Sequence, residues 1–311
     1  MTRLRAATRR SPLARWQAEH VAARLEAAHP GLTVELVALE TEGDRRLDVP
    51  IAHIGGKGVF AKEVQQAVLD GRADLAVHSA KDLTAVTGTG LALAAVPERG
   101  DPRDALVGGR LADLPHGATI ATGSQRRRVQ LAALRPDLRF VELRGNMAAR
   151  LAKVPEGGAI VVAAVALERL GLAERIAERF AVDRLVPQVG QGALAVECRA
   201  DDDRSRELLA AVQHAPSRRR LDAERAFLAE LGGDCDLPAG AHATLDGDRI
   251  VLRGFLAAAD LGAPDGAGGA GPGADGSGAD GSARLVHATE SGTDADHVGR
   301  ALARTLRAAL G

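Results

Sequence analysis

Cysteine is scarce: Cys198 and Cys235 are the only two in 311 residues. Two thiols so far apart exclude a disulfide framework and a four-cysteine zinc site. Tyrosine is absent and aromatic residues make up 2% of the chain, which removes the stacking platforms that single-stranded nucleic acids need. No apolar run approaches the roughly 20 residues of a bilayer span, and the first ten residues hold no apolar core of signal-peptide length. A formal charge of −1 supplies no global field for an anionic partner. The expectation is a soluble, cytoplasmic, monomeric protein with no nucleic-acid partner, no membrane partner and no metal.

What is present is enough apolar sequence, 46%, for two or three domains with real cores. The run from Asp74 to Leu83 (DLAVHSAKDL) organises the rest. Leu75 to Val77 read as a short buried strand after the turn signal Asp70-Gly71. His78, Ser79, Lys81 and Asp82 follow, and in open α/β sheets ligands gather just past the carboxyl ends of strands. A lysine beside an aspartate there supplies a cation and a carboxylate for acid–base work. A solvated loop in which Asp82 merely caps a helix reads equally well.

Leu4 to Ala7 form a first strand, and Ser11 with Pro12 starts a helix, so Arg9 sits at a junction that favours anions. A solvated basic run is the other reading of Arg9. Lys57 lies in a glycine-rich turn before a helix that carries Phe60, Val64 and Val68, but the Walker spacing is missing. After strand Leu91 to Val96, residues 97–102 read as a linker into a second α/β unit. In that unit Arg126, Arg127, Arg144 and Arg150 all fall near strand-to-helix junctions, and Ala159 to Ala164 read as a central strand. Four arginines at one sheet edge point to a ligand with several carboxylates or phosphates.

Cys198 lies in the apolar strand Ala193 to Cys198 and reads as a small buried hydrophobe. A helix follows from about Asp203, and Ser217 is placed to cap the next one. Cys235 instead sits in a turn between Asp234 and Asp236. Flanking carboxylates oppose thiolate formation, so the position suits an attachment point better than a turnover nucleophile. Strands Ala241 to Leu245 and Ile250 to Leu256 and a helix Asp296 to Leu310 make a small α+β unit. The Gly/Ala/Asp/Ser stretch at about 262–283 cannot bury enough apolar surface to order itself, and it lacks the pattern of a calcium-binding repeat.

Eight runs in order carry a family resemblance: ATRRSPLA (7–14), GGKGVF (55–60), GRADLAVHSAKD (71–82), DPRD (101–104), SQRR (124–127), LRGN (143–146), VGQGA (189–193) and AERAF (223–227), with Cys235 before Pro238. Together they resemble the porphobilinogen deaminase (hydroxymethylbilane synthase) family. The resemblance implies an α/β fold of two periplasmic-binding-protein-like lobes with mixed, mainly parallel sheets, plus a small α+β C-terminal domain. Lobe one would be 1–99 with 190–211, lobe two 103–187, and the last domain 215–311.

It also implies a transferase of haem biosynthesis. Four porphobilinogens are joined head to tail onto a dipyrromethane cofactor, ammonia is released each time, and water frees the linear tetrapyrrole. Cys235 would hold the cofactor through a thioether, and Asp82 would be catalytic, offsetting the positive charge of the intermediates. Lys81, Ser79, Thr122, Ser124, Arg126, Arg127, Arg144 and Gln191 would bind the cofactor. Arg9, Ser11, Lys57, Phe60 and Arg150 would bind substrate. Departures from the family pattern are His53 for a lysine, Gly123 for a serine, Thr84 for a proline and the extra Asp234. A solute-binding module on the same scaffold is the alternative; it would need a secretion signal and no Cys235.

Overall fold

The computed structural model describes residues 2–41, 58, 61–232, 238–258 and 284–311. His53, Lys57, Phe60, Asp234, Cys235 and the 262–283 stretch lie outside the described residues. In chain order the elements begin with β1 (Thr2–Arg9), α1 (Pro12–Ala28), β2 (Leu32–Leu39), α2 (Lys62–Leu69), β3 (Leu75–Ser79) and β4 (Leu91–Ala95). Next come β5 (Asp104–Val107), β6 (Thr119–Ala121), α3 (Gln125–Leu134), β7 (Arg139–Val141), α4 (Met147–Leu151), β8 (Ala159–Ala163), α5 (Ala164–Arg169) and β9 (Glu178–Arg179). The chain closes with β10 (Leu194–Arg199), α6 (Asp203–Ala210), α7 (Ala215–Glu230), β11 (Ala239–Asp246), β12 (Arg249–Ala257), β13 (Leu285–Gly292) and α8 (Ala295–Leu310).

Two five-stranded sheets share one pattern, β2-β1-β3-β10-β4 and β7-β6-β8-β5-β9. In each, the first three strands are parallel and the fourth runs against its neighbours. The antiparallel strand is in each case the one entered straight after a crossing: β5 after residues 97–103, β10 after residues 187–193. This is the double-crossing, two-lobed arrangement that the resemblance implied. A third, antiparallel sheet β11-β12-β13 carries α7 and α8.

Local chemistry explains the elements that frame the site. Ser11 caps α1 by accepting the Ala14 N–H at 3.3 Å, and Pro12 follows at the first helical position. Ala18, Val21 and Leu25 then pack against Leu4, Leu75, Val77, Val196 and Cys198 in the core of the first sheet. Cys198 is buried, which pushes its thiol up to about 11, so it is a packing residue as expected. Leu106, Ile120, Leu131, Val161 and Phe180 fill the second core; Phe227, Ile250, Leu252, Val298 and Leu302 fill the third. Across the two lobes the Arg169 guanidinium of α5 lies 5.4 Å from the Trp16 ring centroid of α1, while His20 stacks on the same ring at 5.0 Å.

Two expectations are corrected. β3 does not stop at Val77, because Ser79 pairs with Leu194 and His78 with Ala195 in the ladder to β10. Ser217 does not cap α7: Pro216, with no N–H to satisfy, moves the start to Ala215, and His214 is the cap residue. The Ser217 hydroxyl instead accepts the Arg99 N–H at 2.9 Å.

Candidate active site

The strand β3 ends in a single 3-10 turn, Ala80–Asp82, which presents Lys81 and Asp82 together, both half-buried. The second crossing is pressed against this turn. Ala80 donates its N–H to Ala193 O at 3.0 Å, and the Gln188 side chain donates to Lys81 O at 3.2 Å. Gly190 has φ 72, and a Cβ there would lie 3.0 Å from the Ala80 carbonyl carbon and 3.1 Å from the Lys81 nitrogen. Only glycine fits this close approach.

From Lys81 a chain of hydrogen bonds runs into the second lobe. Lys81 Nζ donates to Gln191 Oε1 at 3.4 Å, and Gln191 Nε2 donates to Asp104 Oδ1 at 2.9 Å and to Pro102 O at 2.7 Å. Asp104 is fully buried and also accepts from Arg126 Nη2 at 2.6 Å and from Arg127 Nε and Nη2 at 3.0 and 2.7 Å. Burial opposes its charge, but Arg126 and Arg127 overcome that and hold the carboxyl at about 2. Burial, reinforced by the Arg127 charge, pushes the Lys81 ammonium down to about 8.

The remaining candidates surround this chain. Thr122 follows β6, and its hydroxyl accepts the Ser124 N–H at 3.2 Å; Ser124 opens α3 without a side-chain cap bond. Asn146 caps α4 through Ala149 N at 3.0 Å, and the turn before it carries Arg144. Arg144 Nη1 is buried with no hydrogen-bond partner. Arg150 Nε donates to Gly145 O at 2.8 Å. Burial lowers Arg150 to about 10, with the charges of Arg127, Arg144 and Arg9 adding to it and Asp82 opposing. Ser79 exchanges hydrogen bonds with Gln17 at 2.8 and 3.2 Å, and Ser11 caps α1.

Thus, among the described residues, Arg9, Lys81, Arg126, Arg127, Arg144 and Arg150 gather with Asp82, Asp104 and Glu142: six cations against three carboxylates. Arg126 is 2% exposed and Arg127 7%; both aim donors inward at Asp104, while Arg144 and Arg150 stay half-exposed. Sequence reasoning did not assign Asp104 or Gln17. The DPRD run was the only signal for the former, and nothing in sequence marks the latter.

A cation excess with an unpartnered buried guanidinium nitrogen fits a ligand carrying several carboxylates. Comparison with known proteins identifies the class. Residues 4–207 match the family model described as porphobilinogen deaminase, dipyromethane cofactor binding domain, and residues 219–264 match its C-terminal domain. This chain belongs to the porphobilinogen deaminase family.

A family relative, the porphobilinogen deaminase of Nitratidesulfovibrio vulgaris, is 51% identical over 263 residues, 83% of either chain. Solved structures show more distant likenesses. The methionine-binding protein MetQ is 13% identical, with a TM-score of 0.43 over 70% of this chain and 92% of that one. The Escherichia coli aliphatic sulphonate binding protein SsuA is 16% identical, with 0.39 over 74% and 70%. The family's cofactor, a dipyrromethane, has an acetate and a propionate on each ring, and the basic groups gathered here fit such a polyanion.

Proposed function

We propose that this chain joins four porphobilinogen molecules head to tail, releasing ammonia at each addition, and frees the linear tetrapyrrole with water. The observation that carries the reading is Asp82 within electrostatic reach of Lys81 and of Arg150, with Arg127, Arg144 and Arg9 gathered around Arg150. Family membership favours this transferase over a solute-binding module on the same scaffold. The same reading divides the chain into lobe one at 1–99 and 190–211, lobe two at 103–187, and a C-terminal domain at 215–311 that carries Cys235.

Each residue has a chemical task. Arg9, Arg144, Arg150 and Lys81 bind substrate and cofactor carboxylates, with Ser11, Ser79, Thr122 and Ser124 adding hydroxyl donors. Arg126, Arg127 and Gln191 hold the wall of the site through Asp104 and lend it positive potential. Lys57 and Phe60 join the substrate side, and Cys235 anchors the cofactor by a thioether. When bound, the dipyrromethane supplies a pyrrole carbon as the nucleophilic end for growth. Asp82 offsets positive charge on the substrate ring as its C–N bond breaks, and accepts pyrrole N–H groups.

Intact mass spectrometry tests the reading directly. Protein made in cells with a working tetrapyrrole pathway should weigh more than its polypeptide by two condensed pyrroles, and Cys235→Ser should remove that increment. Bare polypeptide mass in protein that still consumes porphobilinogen would end the proposal.

A further inference from the structure

Beyond Asp104, two further carboxylates are buried among the described residues, Glu197 and Glu224. Glu224 on α7 is fully buried, and three separate parts of the chain converge on it. Arg99 of the first crossing donates Nη1 at 2.6 Å and Nη2 at 3.2 Å. Gly190 of the second crossing donates its N–H at 2.8 Å. From β11, Ala243 donates its N–H at 2.9 Å, and His242 Nδ1 stands 3.5 Å away. Arg99 is tied in further, its Nε donating to Gln191 O at 2.9 Å. Burial opposes the charge of Glu224, but Arg99 and then His242 hold it ionised, at about 2.

Stability alone does not call for this arrangement. A buried ion pair is often matched or bettered by apolar residues of the same volume, so its specific return is directional. The direction here is informative. Gly190 is the residue packed without slack on the Ala80–Lys81 backbone, one step from Asp82. At the other end, α7 stops at Glu230 and β11 starts at Ala239, so Cys235 lies in the short connection between two elements that Glu224 holds.

We propose that Glu224 is a positioning residue for the condensation: one carboxylate sets α7 and β11, the elements that flank Cys235 in sequence, relative to the turn that carries Asp82. The proposal rests on the deaminase reading above. It assigns Glu224 no contact with substrate. It makes the crossing at Gly190 a rigid strut, and it predicts loss of turnover in protein that still loads its cofactor.

The test uses purified holoprotein, with the wild type measured first. A wild type without bound pyrrole or turnover would refute the deaminase reading itself, whereas the inference is decided in the variants. Glu224→Gln keeps the shape and removes the charge. It should retain the full cofactor mass and a KM for porphobilinogen within about twofold, while kcat falls on the order of ten- to a hundredfold, as misplacement of reacting groups by about 1 Å does. A merely structural role would lower the melting temperature and leave kcat of the folded protein unchanged, and that result overturns the proposal. Should Glu224→Gln not fold, Gly190→Ala decides. It leaves the Arg99–Glu224 pair in place and intrudes on the Lys81 amide, so the same kcat loss with cofactor retained supports the strut, and wild-type kcat rejects it.

Discussion

Asp104 and Lys81 use charge in two ways: Asp104 works on the arginines and need never touch substrate, whereas Lys81 binds carboxylates directly. The Asp104 carboxylate neutralises part of a crowd of guanidinium groups and fixes two of them by three hydrogen bonds. Asp104→Asn removes that counter-charge and should destabilise the fold by about 3 kcal/mol, the range for breaking one side of a buried ion pair; the urea midpoint measures it. For Lys81 the sign runs two ways. Its ammonium is lowered to about 8 from 10.5, so carboxylate binding should weaken as pH rises through about 8, seen as a rising KM. Between those two values the unfolded chain binds more protons, so stability should increase with pH while binding declines. Lys81→Arg should move the KM rise to higher pH. Asp82→Asn should keep the cofactor mass and lose nearly all turnover, and normal turnover would remove Asp82 from its role.

At the scale of elements, periodicity and caps made much of the fold legible. Ser11-Pro12 announced α1, the apolar run at 159–164 announced the inner strand β8, and the stretch Asp296 to Leu310 announced α8, whose buried face is Val298, Leu302 and Leu306. Leu302 is buried with Phe227 and Leu252 in the third core, which does not include Asp82. Leu302→Ala should cost about 2–5 kcal/mol by chemical denaturation, with kcat per folded molecule unchanged. Other elements were not legible. β5 has four residues and begins on a charged one, Asp104, whose burial makes sense only once Arg126 and Arg127 are beside it. β13 alternates exposed and half-buried positions, a pattern without a strong apolar signal. Ser217 looked like a cap because local sequence cannot show that Arg99, 118 positions away, takes its hydroxyl. Asp82 and the arginines could be found because motifs are local; Gln17, Asp104 and Glu224 act through partners distant in sequence.

At the scale of the molecule, buried acids join the three sheets, and they set its response to acid. Asp104 and Glu224 are both held at about 2, below the ordinary carboxylate range. Depressed carboxyls contribute stability that is complete above their unfolded values and disappears as pH falls toward the folded ones. Thermal unfolding should therefore drop steeply between about pH 4 and pH 2, and the drop should be shallower in Glu224→Gln. A melting temperature flat across that window would contradict the ion-pair account of the joint.

The contact of Arg169 with Trp16 has a consequence for watching this enzyme work. The chain has a single tryptophan and no tyrosine, so nearly all of its near-ultraviolet emission comes from one indole. That indole belongs to the first lobe, and the cation lying over it belongs to the second. Any parting of the lobes draws the charge off the ring and alters the emission, with no dye attached. Stopped-flow fluorescence during successive additions of porphobilinogen should show stepwise changes, and Arg169→Met should abolish them. The protein carries its own optical ruler.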